Sequence, residues 1–446
     1  MQRLFSFRGW IVGWLVALVS VSAQAGLPIQ RWTAANQAEV LLIESPALPM
    51  VDVQIDFDGG SRRDPAAQAG LASAVAAMLS KGVRARDGAP AMDENALGEA
   101  WADLGAMMGA SASSDRFSVT LRTLTVPDVL QAAVKLAARQ LADPAFSSDV
   151  WATERARFVA SIKEANSQPG TVAQRAFGRA VYGTHPYGYE PDETSLQAIG
   201  VTDLQQFHAR HVQACRARVS LVGALNRAQA EAVVEQLLAG LPAGGACEAL
   251  PAVPEVQPLT APQQQRLPMA SAQAHVLIGQ PGIRRIDPAF FAITVGNYIL
   301  GGGGFVSRLT EQVREKRGLS YSVYSYFSPA LHAGAFTVGL QTRPDQAAQA
   351  VAVATDVLQR FVQDGPTERE LQAAKDNLIG GFALRLDSNR KLLDQLASIG
   401  WNRLPLNYLD TWTDEVRRVT VADIRAAFQR VLQPDRMVTV IVGGQP

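Results

Sequence analysis

Two side chains in this 446-residue sequence have the type and spacing to stabilise developing negative charge. They are Arg314 and, seven positions on, Tyr321. They lie in "LGGGGFVSRLTEQVREKRGLSYSVYSYF", Leu300 to Phe327. A guanidinium and a phenol aimed at one point would lower an acyl-transfer barrier by donating to an oxyanion. Spacing alone leaves plainer readings in place. Arg314, Lys316 and Arg317 also complement the carbonyl end of a helix, and Tyr321 suits an ordinary strand. The glycine run Gly301–Gly304 reads as a mobile loop with approachable backbone. A helix is predicted from Ser307 to Lys316, ended by Gly318, with a strand starting near Leu319.

Metal chemistry finds little support. In "AGLASAVAAMLSKG", Ser73, Ala76 and Ala77 fall at i, i+3 and i+4, on one helical face. A His-x-x-Glu-His motif would place two imidazoles and a carboxylate there. These residues offer one hydroxyl and two methyls, too few donors for zinc. His208 and His211 share a helical face but have no carboxylate between them, and His185 lies in a turn-rich stretch, "YGTHPYGYEP". No Gly-x-Ser-x-Gly elbow or phosphate-binding glycine loop occurs.

The elements that must position these residues come in two sets. "VDVQIDFDGGSRRDP" and "HVLIGQPGIRRIDP" share an order, and apolar helical runs follow at Leu71–Leu79 and Phe290–Leu300. "FSVTLRTLTVPDVLQAAVKLAARQL" pairs with "FTVGLQTRPDQAAQAVAVATDVLQRF". Asp203 precedes Gly223 by 20 residues, and Asp423 precedes Gly443 by 20. Three matches in one order indicate duplication. The Pro-, Gln- and Ala-rich stretch between the copies reads as a linker. The organisation expected is residues 1–25 as a signal peptide, 26–245 as an N-terminal domain, 246–268 as linker and 269–446 as a C-terminal domain. Strand signals alternate with period two, so each half reads as an α+β layer structure with one sheet face on helices.

Basic and acidic residues both total 41, and no basic-aromatic stripe appears, so nucleic acid is not an expected partner. Arg3 and Arg8 precede "WIVGWLVALVSVSA" and then Ala23–Ala25, a secretory signal with cleavage after Ala25. The apolar run is shorter than the ~20 residues of a membrane span, which favours cleavage over an uncleaved anchor. Gly26, not cysteine, follows, so no lipid anchor is expected. Without Arg3 and Arg8 the 41 basic residues become 39 against 41 acidic, a net charge of −2. Cys215 and Cys247 both fall in the exported part, where a disulfide is permitted. Two free thiols fit the sequence equally well.

The sequence resembles the pitrilysin/insulinase family of zinc peptidases, the inverzincins, over nearly all of the mature chain. It is most similar to two-domain bacterial members and to mitochondrial processing peptidase subunits. The resemblance rests on "AGLASAVAAMLSKG", "LADPAF", "ERARFVASIKE", "HPYG" and "SRLTEQVREKRGLSYSVYSYF". It implies two homologous α+β domains of the processing-peptidase type, each an antiparallel-rich sheet packed with helices. The family's two zinc histidines fall on Ser73 and Ala77, its general-base glutamate on Ala76, and its distal zinc glutamate on Ser161. Glu154 matches a glutamate that the family keeps behind its ligands, and Arg314 and Tyr321 match its Arg/Tyr pair. The resemblance thus implies a zinc-less, non-catalytic subunit that acts in trans. The partner would be a ligand-complete subunit carrying the zinc, and the substrates peptides or unfolded polypeptides. Gly301, Gly302, Gly303 and Gly304 match part of a longer substrate-contacting loop. The expected compartment is the periplasm, without stable membrane insertion. The alternatives are a peptide-binding or scaffold protein with no catalytic role, or a stand-alone hydrolase with ligands relocated to His208 and His211.

Overall fold

The computed structural model describes residues 28–242 and 247–444. The expected signal peptide lies outside them. The first half builds β1 (Gln30–Thr33), β2 (Glu39–Glu44), β3 (Met50–Phe57), a ribbon of β4 (Gly82–Val83) with β5 (Met92–Asp93), then β6 (Met107–Ala112), β7 (Phe117–Leu124) and β8 (Arg218–Gly223). The second builds β9 (Gln263–Leu267), β10 (Ala274–Pro281), β11 (Val323–Phe327), β12 (Ala335–Thr342) and β13 (Val438–Val442).

The first sheet has the order β1-β2-β8-β3-β7-β6, and the second, read from its other end, β9-β13-β10-β12-β11. Apart from β1, the two sheets are the same drawing. In each, one pair is parallel, β2 with β8 and β13 with β9, and the remaining pairs are antiparallel. The fold is therefore two α+β domains of one type, as the repeats implied. The last residues of the stretch read as linker, Gln263–Leu267, form β9, the counterpart of β2. That stretch has no apolar alternation, which is why its strand was not visible in the sequence; β9 is a sheet edge with little burial.

The 20-residue spacing has a local cause in both halves. Asp203 and Asp423 accept the backbone N–H groups of Gly200 and Thr420, capping the Val201–His211 and Val421–Val431 helices. Gly223 and Gly443 end β8 and β13, where a Cβ would collide with the Met50 and Gln273 carbonyl oxygens.

The one-face expectation holds only at the sheet margin. β7 alternates buried and half-buried residues, but β3 and β8 are buried almost throughout. The second face is covered from the other half of the chain. The Pro169–Tyr182 helix lies on β10 and β13, with Phe177 and Val181 packed among Leu277, Val438 and Val440. The Asn389–Asn402 helix lies on β8, β3 and β2, with Leu393, Leu396 and Ile399 in one core with Leu41, Ile43 and Val222. Gly279 makes room for the first exchange: the Phe177 Cζ stands 2.8 Å from where a Cβ would sit.

Cys215 and Cys247 are bonded, with Cα atoms 5.8 Å apart. The bridge ties the start of the inter-domain segment to the first half.

Phe177→Ala should cost about 3–5 kcal/mol, the usual penalty for emptying a buried aromatic site. Phe177 lies in the first half of the sequence, yet the loss should appear in the second. Amide hydrogen exchange of β10 and β13 should accelerate, and urea unfolding should shift to lower concentration. Unchanged protection of those strands would show that the crossing helix does not support them.

Candidate functional site

The Leu71–Met78 helix is fixed at its start by Asp64, which accepts N–H groups from Gly70 at 2.9 Å and Ala72 at 3.0 Å. Leu71, Ala74, Val75 and Met78 face the core. Ser73 points to solvent, Ala77 is half-buried and Ala76 is buried. On the Ser148–Ala165 helix, Ser161 is exposed and Glu154 is only 9% exposed. Lys81, just past the first helix, reaches Glu154 at 3.2 Å and Glu94 at 2.6 Å. Glu94, then Glu154, raises the Lys81 pKa and so favours its ammonium form. Arg157 also pairs with Glu154. Lys81 and Arg157 thus place cations on the buried Glu154 carboxylate. Lys81, third in "LSKG", gave no signal of this role in the sequence.

Zinc does not fit this face. Its four mapped positions supply two hydroxyls and two methyls. Among the described residues, no group of three or more His, Cys, Asp or Glu side chains is placed to hold a metal ion. His208 and His211 serve the core separately. The His208 ring Nε2 lies 2.8 Å from Leu141 O, and the His211 Nδ1 lies 2.8 Å from Asp58 O. His185 joins the domain interface, with its ring at 3.0 Å from Pro254 O and its centroid 5.2 Å from that of His332.

Arg314 and Tyr321 are brought together in the second half. The predicted regular helix is instead a π-turn over Thr310–Glu315, and Gly318 ends it with φ of 60°, donating to Arg314 O at 2.8 Å. Tyr321 does not start the strand; it stands two residues before β11. The Arg314 Cζ is 4.6 Å from the centroids of both Tyr321 and Phe305, a cation held between two rings. Both rings are open to solvent, Tyr321 80% and Phe305 71% exposed. Glu315 lies 3.3 Å from the guanidinium, and no hydrogen bond joins the Arg314 side chain to another described residue. The buried Ser320 hydroxyl lies 2.6 Å from the carbonyl oxygens of both Gln341 and Ser322, donating its one proton to either, and so anchors the backbone beside Tyr321.

The glycine run is not a free loop. Tyr298–Gly302 is a second π-turn, and Gly301 is packed so closely that a Cβ would lie 2.5 Å from the Ser325 Oγ. Asn297 fastens the run to β11, donating to Ser325 O at 3.0 Å and accepting from the Ser325 hydroxyl at 2.8 Å. Gly302 and Gly304 are exposed, Gly303 half-buried. Four consecutive glycines read as flexibility because sequence does not show which backbone they lie against. The Ser73 face and the Arg314/Tyr321 pair belong to different halves and share no hydrogen bond or ion pair among the described residues.

A solved structure described as the peptidase M16 inactive domain from Pseudomonas fluorescens shares 35% identity with this chain. It covers 94% of this chain and 98% of its own, with a TM-score of 0.88. The chain belongs to peptidase family M16. The family model for the insulinase-type M16 peptidase matches residues 39–192, and that for the M16 inactive domain matches residues 198–378. An uncharacterized zinc protease of Streptomyces coelicolor is 28% identical over 91% of this chain and 87% of its own length. A non-peptidase homolog of Helicobacter pylori, YmxG, is 27% identical over 87% of this chain and 88% of its own. This chain is an inactive-type M16 homologue. Among the described residues, no helix is long and apolar enough to cross a membrane.

Burial pulls the His211 pKa down from 6.5 to about 4. The folded state holds the neutral ring, and the unfolded chain takes up a proton first as pH falls. His211 therefore contributes stability that is fully present above pH 6.5 and is lost on acidification toward pH 4. The loss amounts to at most about 3 kcal/mol. His211→Gln should keep a donor toward Asp58 O without this titration. The stability gap between wild type and variant should narrow from pH 7 to pH 4. A gap independent of pH would show that His211 titrates alike in both states.

Proposed function

We propose that this chain is the zinc-less subunit of an exported, two-chain zinc metallopeptidase, and that it contributes Arg314, Tyr321 and part of the substrate chamber. The observation that carries the reading is an asymmetry. Every metal-ligand position holds a residue that cannot bind zinc, while the Arg/Tyr pair stands assembled and solvent-open. A ligand-complete partner of the same family would supply zinc, which activates water and polarises the scissile carbonyl. Arg314 and Tyr321 would donate to the carbonyl oxygen as it gains charge, or hold the peptide backbone in register. Substrates would be extended or unfolded polypeptides, added as a strand to a sheet edge. Gly302 and Gly304 would border their path.

The test is reconstitution. The chain alone should hold no stoichiometric zinc and cleave no peptide; mixed with a ligand-complete partner it should raise turnover. Tyr321→Phe removes only a hydroxyl and leaves the ring against Arg314, so packing should survive. Turnover of the mixed complex should nevertheless fall at least about tenfold, a conservative share of the ~10²–10³ that one oxyanion donor commonly contributes. An intact complex that cleaves at the wild-type rate would reduce the pair to packing and favour a peptide-binding scaffold.

Export is proposed on the order of charge, apolar core and Ala-x-Ala at the N-terminus. The Cys215–Cys247 bond is consistent with an oxidising compartment. N-terminal sequencing of periplasmic protein should begin at Gly26. Recovery of Met1 in a membrane fraction would overturn this.

A further inference from the structure

A cavity of about 550 Å³ opens where the two halves meet, and its lining is unbalanced in charge. Arg62, Arg216, Arg218, Arg284 and Arg403 face it, against one carboxylate, Asp58. The carboxylates nearby are already engaged. Asp58 is shared by Arg62 and Arg63, both at 2.7 Å. Glu39 sits 2.6 Å from Arg31 but 4.0 Å from Arg218. Glu255 is 3.3 Å from His332 and 3.8 Å from Arg284. Arg216 and Arg403 form no ion pair among the described residues; Arg216 donates instead to Gln213 and to the Glu248 carbonyl. Burial lowers the Arg216 and Arg218 pKa values, and the Arg403 charge adds to the effect on Arg218.

Arg62, 6% exposed, is held in place with its Nε 3.0 Å from Asp115. Clustered guanidinium groups in excess of carboxylates and a volume suited to a small molecule call for an anionic complement.

We infer that this inter-domain cavity binds a small polyanion bearing phosphate or carboxylate oxygens, which bridges the two halves. Arg216 and Arg403 supply the charge left over, and the remaining arginines complete the cradle in place. The ligand would touch β8, the end of the Asn389–Asn402 helix and the Arg284 segment together, so binding would tighten the seam between domains. The inference is independent of any role for Arg314 and Tyr321.

Calorimetric titration of the full mature chain at constant ionic strength, with inorganic pyrophosphate and separately with citrate, tests this. At least one probe should bind saturably and raise the thermal midpoint above that in chloride of equal ionic strength. If pyrophosphate binds and citrate does not, the ligand is of phosphate class; the reverse assigns a polycarboxylate. Arg216→Gln/Arg403→Gln should weaken binding at least about tenfold, the worth of one charge-assisted contact. Arg403 is exposed, so Arg403→Gln alone serves if the double variant is unstable. Failure of both probes to saturate, or equal binding by wild type and a folded variant, would overturn the inference.

Discussion

Each half of this protein covers the open sheet face of the other with one of its own helices, and most of the remaining structure depends on that exchange. A sheet in an α+β layer has two apolar faces at its centre, but its own helices cover only one. The Pro169–Tyr182 helix closes the second sheet, and the Asn389–Asn402 helix closes the first. The two helices hold equivalent places in the duplicated halves, so the exchange is reciprocal. Both are pinned where they arrive. The Tyr182 hydroxyl accepts from Ala335 N at 2.9 Å. At the other crossing Ser45 meets Asn389 at 3.0 Å, and Arg218 donates to Trp401 O at 2.8 Å. Neither half can release its helix without exposing the core of the other.

With the helices interlocked, the seam between domains becomes a place where buried polar groups can be positioned. Asp115 shows how. It accepts from the Tyr187 hydroxyl at 2.6 Å and from Leu331 N at 2.9 Å, beside Arg62. Glu255 accepts from Ala333 N at 3.0 Å. Residues of the first half, the connecting segment and the second half thus share one network. A buried polar group left without a partner costs about 1–3 kcal/mol. A relative shift of the halves would leave several unpaired at once, which holds the seam to one arrangement. The "HPYG" stretch belongs to this network, and its role is structural.

Repeated spacing was legible in the sequence because its causes are local. A capping aspartate and a glycine against a neighbouring carbonyl recur wherever the same helix and strand recur, and both leave residue-type signatures. The placing of Ser73, Ala76 and Ala77 on one helix was legible for the same reason, since their spacing is local. The covering of β3 and β8 on both faces was not. It depends on helices more than 100 residues away in sequence, and alternation cannot report a distant cover. The two π-turns were hidden similarly. Gly301 is compact because Ser325 and Asn297 close over it, and Arg314 turns where it does because Gly318 permits the bend. The arginine cavity escaped the linear reading entirely, since its members come from five separate segments of chain.

The positions that the resemblance maps to zinc ligands carry little of the core. Ser73 and Ser161 face solvent, so a short hydroxyl there leaves no cavity; Ala76, though buried, is small enough to pack. The carboxylate on the neighbouring helix poses a charge problem. Glu154 remains buried, and an unpaired buried carboxylate is costly. Lys81 and Arg157 neutralise it, and Lys81 is drawn further by Glu94. This face is thereby made self-sufficient. The Arg314/Tyr321 pair has the opposite character. Tyr321 is exposed, anchored through Ser320, and spends its ring on Arg314 while its hydroxyl has no protein partner among the described residues. A phenol so exposed adds little to fold stability beyond that ring contact. A face that has closed its accounts with the fold and a pair that has not are physically different things, and only the second presents free donors to whatever approaches from outside.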